Sequence, residues 1–182
     1  GGQYLAPEKT IAHAQYLVDA GAAVLDIGPA SSHPDAGAVT PAEEIARLQG
    51  VWAPLKALPA SLSVDSFQLE TQRWAIAHGA DWLNDINSFA EPSLYDELAD
   101  APCRLVVMHA IQSKGIARRA PAPDGDIWDH ILRFFETRLK ALEEAGIARD
   151  RLVIDPGMGF FLGNDPQTSL QVLGGLARLK QA

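Results

Sequence analysis

Leu152-Val153-Ile154-Asp155-Pro156-Gly157 is a short apolar run that ends in an acid and a turn. It is too short for a stable helix and rich in Leu, Val and Ile, so it reads as a buried strand of a parallel sheet. Outward from it, the same pattern recurs in Ala23-Val24-Leu25-Asp26-Ile27-Gly28, Ser63-Val64-Asp65-Ser66 and Trp82-Leu83-Asn84-Asp85. A further apolar run leads from Cys103 to Met108. Five strands are predicted, at about 23–28, 61–65, 81–86, 103–108 and 151–155. A carboxylate or amide at a strand end costs free energy unless something satisfies it. In parallel α/β folds the chemistry gathers at the carboxyl ends of the strands. Asp26, Asp65, Asn84 and Asp155 are therefore expected on one rim, facing a polar ligand rich in donors.

Helical segments alternate with these strands. They are predicted over 7–20, 40–58, 68–78, 92–99, 126–145 and 168–180. Pro7 stands at a first helical position with Gly21 past the end, and Thr40-Pro41-Ala42-Glu43 is a capping box. Strand–helix alternation means a parallel sheet with helices outside. No Gly-x-Gly-x-x-Gly follows the first strand, which disfavours a dinucleotide fold. Acids at many strand ends favour the (β/α)8 TIM-barrel type. Such a barrel typically needs about 250 residues. The 182 residues present hold about five of eight strands, so residues 1–182 read as one incomplete domain. The chain opens on a loop-like Gly1-Gly2 rather than Met, and it reads as a piece of a longer barrel.

Composition narrows the classes. The net charge of −8 argues against nucleic acid or an anionic membrane as partner. No apolar stretch approaches membrane length. The single cysteine, Cys103, excludes a disulfide framework within the chain and suits a reducing cytoplasm. Two loops are long, 29–39 and 110–125, and loops of this kind carry lids and binding residues. The second holds Lys114, Arg118 and Arg119, either a positive patch for an anionic substrate or a solvated loop. His109 ends a strand, but one histidine does not make a metal site, and no metal-ligating residue is assigned.

The strand-end words occur together and in order: Asp26-Ile27-Gly28-Pro29-Ala30-Ser31-Ser32-His33-Pro34, Ser63-Val64-Asp65-Ser66, Asn84-Asp85-Ile86, Val107-Met108-His109 and Asp155-Pro156-Gly157-Met158-Gly159-Phe160. Along essentially its whole length the chain resembles dihydropteroate synthase, the folate-pathway transferase. Ser32-His33-Pro34 replaces the ordinary Thr-Arg-Pro, and Phe161-Leu162 replaces Gly-Lys. These departures resemble the mobile, sulfonamide-insensitive branch, associated with antibiotic resistance. The family's first strand with its Asn-x-Thr-x-Asp-Ser-Phe loop, and its late Ser-Arg-Lys and Arg-x-His segments, have no counterpart here.

The resemblance implies condensation of 7,8-dihydropterin-6-ylmethyl diphosphate with p-aminobenzoate to dihydropteroate and diphosphate. Asp65 and Asp155 would be the catalytic carboxylates. Asp65, Asn84, Ile86, Met108 and Asp155 would bind the pterin. Ser32, Pro34, Phe160 and Phe161 would wall the p-aminobenzoate pocket, and His33 would meet the diphosphate. Asp26 would orient a neighbour or bind an absent loop. Mg2+ would ride on the substrate diphosphate, its protein ligand outside this chain. The full-length enzyme would be a cytoplasmic homodimer. Two other readings stay open: a pterin-dependent methyltransferase, and a non-catalytic pterin-binding fragment.

Overall fold

The computed structural model describes residues 6–112 and 114–181, with the side chain of residue 181 excepted; Gly1-Gly2 lies outside the described residues. Five strands form one parallel sheet in the order β1 (Val24–Ile27), β2 (Ser61–Asp65), β3 (Trp82–Asp85), β4 (Arg104–Met108) and β5 (Leu152–Asp155). Chain order and spatial order coincide, as in the wall of a (β/α)8 barrel. The seven α-helices among the described residues are α1 (Pro7–Asp19), α2 (Pro41–Gln49), α3 (Trp52–Lys56), α4 (Leu69–Ala77), α5 (Tyr95–Asp100), α6 (Ile127–Glu144) and α7 (Pro166–Gly174).

Strand side chains alternate between faces, and residues in register share a face. One face carries Leu25, Leu62, Val64, Leu83, Leu105 and Val107, all buried in a single core with Leu48, Leu55, Ala75, Leu98, Ile131, Phe135 and Leu142 of the helices. The other face carries Asp26, Ser63, Trp82 and Arg104 in one register layer. Asp65, Asn84, Val106 and Val153 form the next layer, and Met108 pairs with Asp155 above them. Most of this second face is only half-buried or exposed. Parallel sheets are normally covered on both faces, so helices alone do not finish this sheet.

Two predicted helices are shorter than their sequence pattern. The span 40–58 divides at Gly50 into α2 and α3. Pro54 explains the break: a continuous helix would need a Pro54 N–H to bond the Gly50 carbonyl. The predicted capping box is present, with the Glu43 N–H donating to Thr40 Oγ1 at 3.3 Å and the Thr40 N–H to Glu43 Oε2 at 2.8 Å. The span 168–180 instead starts at Pro166 under an Asp165 cap and ends at Gly174, and a 3-10 turn (Leu176–Gln181) follows. A side chain at Gly175 would collide with the Trp128 indole, so the helix stops where that ring packs.

Phe135 is fully buried at the centre of the core. Phe135→Ala is expected to destabilise the chain by about 3–5 kcal/mol, read as a lower urea midpoint.

Candidate functional site

The strand ends of the open face converge on an acidic surface. Asn84 donates from Nδ2 to Asp26 Oδ2 at 3.3 Å, which spans β2 and links β1 to β3. Asp26 is exposed there and orients Asn84, whose Oδ1 is left to accept. Asp65 sits between them in the sheet, in register with Asn84. Its carboxyl pKa is pushed up to about 7, first by burial and then by the neighbouring Asp26, Asp85 and Glu44 charges. Asp155 shares the face at the β5 end, beside Met108. One of its oxygens accepts from the Gly157 N–H at 2.8 Å, and the other has no hydrogen-bond partner among the described residues. Asp155 thus caps its own turn and still presents an acceptor.

Ile86 and Met108 are buried yet stand apart from the large core under the helices. The turn that holds Ile86 is tightly specified. Asp85 points to the helical side and accepts from the Asn87 and Phe89 N–H groups at 2.7 and 2.8 Å. Burial raises its pKa despite these bonds. Ser88 and Phe89 take left-handed φ values of 56° and 53°, and the Ser88 hydroxyl donates to the Met108 carbonyl. Left-handed non-glycine residues persist only where their surroundings dictate them, and they gather at functional sites. Beneath Asp65, Ser66 Oγ donates to the buried Glu44 carboxylate at 2.6 Å, and Gln72 Nε2 donates to the Ser66 carbonyl at 2.8 Å. Gly157, at φ +74°, lies against the His109 carbonyl, and a Cβ there would overlap it. Only glycine lets the β5 turn close on β4.

The acceptor-side residues come from two loops, and a third packs against them. Ser32, His33 and Pro34 lie in the β1 loop, while Phe160 and Phe161 lie in a 3-10 turn after β5 (Gly159–Phe161). His33 meets Phe160 edge to face, centroids 5.8 Å apart. Phe161 contributes its carbonyl to the Ile111 N–H at 2.9 Å in the β4 loop. Phe160 and Phe161 are half-buried, whereas Leu162 beside them is fully buried in the core.

Two of the three β4-loop cations, which left a positive patch and a solvated loop both open, are neutralised. Lys114 pairs with Glu91, and Arg119 forms a two-pronged ion pair with Asp35, both contacts at 2.6 Å. His109 turns away from the acidic face. Its Nδ1 lies 3.2 Å from the Pro156 carbonyl, its ring packs on Phe134, and burial lowers its pKa to about 4. No group of three or more His, Cys, Asp or Glu side chains converges to hold a metal among the described residues. Cys103 is buried, which pushes its thiol pKa up. No described helix is long and apolar enough to cross a membrane.

Three features escaped the sequence pattern. Ser63 completes the lower layer beside Asp26, and the polar–apolar alternation Ser61-Leu62-Ser63-Val64-Asp65 was its signal. Glu44 and the Arg119–Asp35 pair carried no local signal, because their partners lie 22 and 84 residues away.

An open wall of parallel strands, with helices on one face and acids at the strand ends of the other, defines a (β/α)8-type ligand-binding α/β protein. The family model described as "Pterin binding enzyme" matches residues 1–182. The chain is 51% identical over 180 residues to the Escherichia coli protein "Dihydropteroate synthase type-2", covering 99% of this chain and 66% of that protein. It is 43% identical to the E. coli "Dihydropteroate synthase type-3", covering all of this chain and 69% of the relative. A Xanthomonas albilineans dihydropteroate synthase solved with 4-aminobenzoic acid superposes with a TM-score of 0.85 at 37% identity, covering 96% of this chain and 61% of that one. The chain belongs to the pterin-binding enzyme family and, within it, to the dihydropteroate synthases. It spans about two thirds of the length of these relatives.

The raised Asp65 pKa makes a stability prediction. The folded protein keeps a proton that the unfolded chain releases between about pH 4 and pH 7, so stability falls as pH rises through that window. The penalty above pH 7 is at most about 4 kcal/mol. Asp65→Asn is expected to be more stable than the parent by about 2–4 kcal/mol at pH 8, and nearly equal to it near pH 4, in urea titrations at the two pH values.

Proposed function

We propose that this chain forms the pterin half of a dihydropteroate synthase, which joins 7,8-dihydropterin-6-ylmethyl diphosphate to p-aminobenzoate and releases diphosphate. The observation that carries this reading is the uncompensated acidic face. Asp26, Asp65 and Asp155 share the face of Asn84; Arg104 stands in the layer of Asp26 but stacks on Trp82, and none of the three carboxylates has an ion-pair partner among the described residues. A reduced pterin offers a 2-amino group and ring N–H donors along one edge, and carboxylates and an amide oxygen are its complement. Asp155 and Asp65 accept from that edge, Asn84 accepts beside them with Asp26 holding its amide, and Ile86 and Met108 supply apolar contact to the ring.

The reaction breaks the bond between the pterin methylene and the diphosphate oxygen. Positive charge then spreads into the ring, the amine nitrogen of p-aminobenzoate forms the new C–N bond, and that nitrogen loses a proton. Carboxylates fixed beside the ring stabilise the cation, so positioning and electrostatics carry the rate and no protein nucleophile is needed. The residues present build no metal centre. Mg2+ is proposed only as a companion of the substrate diphosphate, and no step here depends on it. On the acceptor side, Ser32, Pro34, Phe160 and Phe161 wall the ring. His33 accepts the Asp35 N–H at Nδ1, which leaves Nε2–H as the donor toward the diphosphate. The lone buried cysteine supports a cytoplasmic enzyme. The exposed Leu170, Leu173 and Leu176 at the last helix support pairing with a second copy in the complete protein.

Calorimetry with an oxidised pterin diphosphate tests the pterin site. Asp155→Asn and Asp65→Asn are each expected to weaken binding about 10- to 100-fold, with circular dichroism unchanged. Parent affinity is expected to rise from pH 6 to pH 8, because the ionised Asp65 is the acceptor. A folded chain that binds no pterin overturns the reading.

Sulfonamide insensitivity is proposed to arise at Phe161, the half-buried phenylalanine that replaces the ordinary glycine beside the acceptor pocket. It admits the planar substrate and clashes with a bulkier mimic. Removing residues 160–162 would empty the core site of Leu162, so the informative change is Phe161→Ala. It is expected to strengthen sulfonamide binding at least about 10-fold while p-aminobenzoate changes less, in competition calorimetry. Equal shifts for both ligands would reject a selective clash.

A further inference from the structure

The β1 loop (residues 28–40) reaches across to the β4 and β5 loops, and its tethers are unevenly placed. At its start, Arg47 of α2 donates to the Pro29 carbonyl at 2.6 Å. At its end, Gln68 donates to the Val39 carbonyl at 3.2 Å. The apex, residues 32–35, is held differently. Among the described residues, the hydrogen bonds and ion pairs that leave it go only to the β4 loop. The Ala117 N–H donates to the Ser32 carbonyl at 3.0 Å, and Arg119 grips Asp35 with both terminal nitrogens. The same guanidinium lies over the Phe160 ring, 5.5 Å from its centroid, and His33 meets that ring from the side. One arginine therefore joins all three loops around Phe160.

We propose that Arg119 is a positioning residue for the acceptor subsite: it clamps the β1-loop apex against Phe160 and so sets the wall on which the acceptor ring lies. This rests on the acceptor pocket assigned above. An isolated exposed ion pair stabilises little. Here the fork is two-pronged, and the arginine also stacks on an aromatic face, which fixes its direction and lowers the entropy of holding it. Lysine cannot reproduce this, because it lacks the planar fork. The Asp35 carboxylate pKa is lowered chiefly by its hydrogen bond to Arg119, so the pair stays charged through neutral pH. The clamp is thus a fixed wall rather than a pH switch. A loose apex would leave the strand-built contacts to the pterin ring untouched, and only the diphosphate, which His33 of the apex meets, would lose a contact.

The test compares the parent chain with Arg119→Gln, Arg119→Lys, Asp35→Asn and the charge swap Asp35→Arg/Arg119→Asp. Hydrogen exchange of residues 31–37 is followed by mass spectrometry without ligand. Affinities for p-aminobenzoate and for an oxidised pterin that lacks the diphosphate, and so does not reach His33, are measured by calorimetry. Arg119→Gln, Arg119→Lys and Asp35→Asn are each expected to speed apex exchange and to weaken p-aminobenzoate about three- to five-fold. The pterin affinity should stay within about two-fold, and the swap should recover part of both losses. Unchanged apex exchange in Arg119→Gln overturns the clamp. A large loss of p-aminobenzoate binding in Arg119→Gln, with Asp35→Asn neutral or tighter and no rescue by the swap, also overturns it and makes Arg119 a direct ligand of the substrate anion. If the parent binds neither ligand, the assigned pocket fails with the acceptor role, while apex exchange still decides the clamp.

Discussion

The structure depends on the two-residue period of its strands. On β2, Leu62 and Val64 enter the helical core while Ser61, Ser63 and Asp65 take the other face. On β3, Leu83 goes under the helices and Asn84 to the acids. A slip of one residue in any pairing would place Asp26, Asp65 or Asn84 in the hydrophobic core and a leucine or valine on the polar face. Burying an unpaired carboxylate there would cost more than the sheet gains from one strand. The acidic face and the hydrophobic core therefore specify the same register from opposite sides.

The face has a charge problem that the chain does not solve by itself. Asp65 is flanked by Asp26 and backed by Asp85 and Glu44, and burial first, with these charges adding to it, raises its carboxyl pKa to about 7. Elsewhere the fold pairs its acids with care: Asp85 takes two backbone N–H groups, Glu44 a serine hydroxyl, Asp81 the Leu62 N–H and the Lys56 ammonium. Three carboxylates on one face with no ion pair among the described residues stand out from that practice. A ligand edge rich in donors relieves the repulsion, so part of the binding free energy is the removal of a strain already present in the free protein.

The sequence made the sheet and the acidic half legible, because both follow from short-range patterns. Apolar runs ending in acids or amides located four strands and the run from Cys103 to Met108 the fifth, and Thr40, Asp126 and Gly146 bounded helices through local chemistry. The misread helix ends had signals that were present but outweighed by periodicity: Pro54 for the break near Gly50, and Asp165-Pro166 with Gly174-Gly175 for α7. The β4-loop cations were left open between a positive patch and a solvated loop for a different reason. Their neutralising partners, Glu91 and Asp35, lie 23 and 84 residues away, and no local pattern announces a pairing of that range.

The same distinction separates the two halves of the candidate site. Asp65, Asn84 and Asp155 stand at strand ends held by ladders on both neighbours or, for β5, by β4 and the Gly157 contact, so their spacing is inherited from the sheet. Ser32, His33, Pro34 and Phe160 hang on loops whose mutual position rests on a few side-chain contacts. A substitution on the loops can reshape one pocket without moving the other, whereas a substitution at a strand end disturbs sheet, charge and ligand together. On the proposed assignment, discrimination between ring-shaped acceptors is therefore adjustable at low structural cost, while recognition of the pterin edge is tied to the fold. Relatives can then diverge in which acceptor mimics they admit and still share one pterin face.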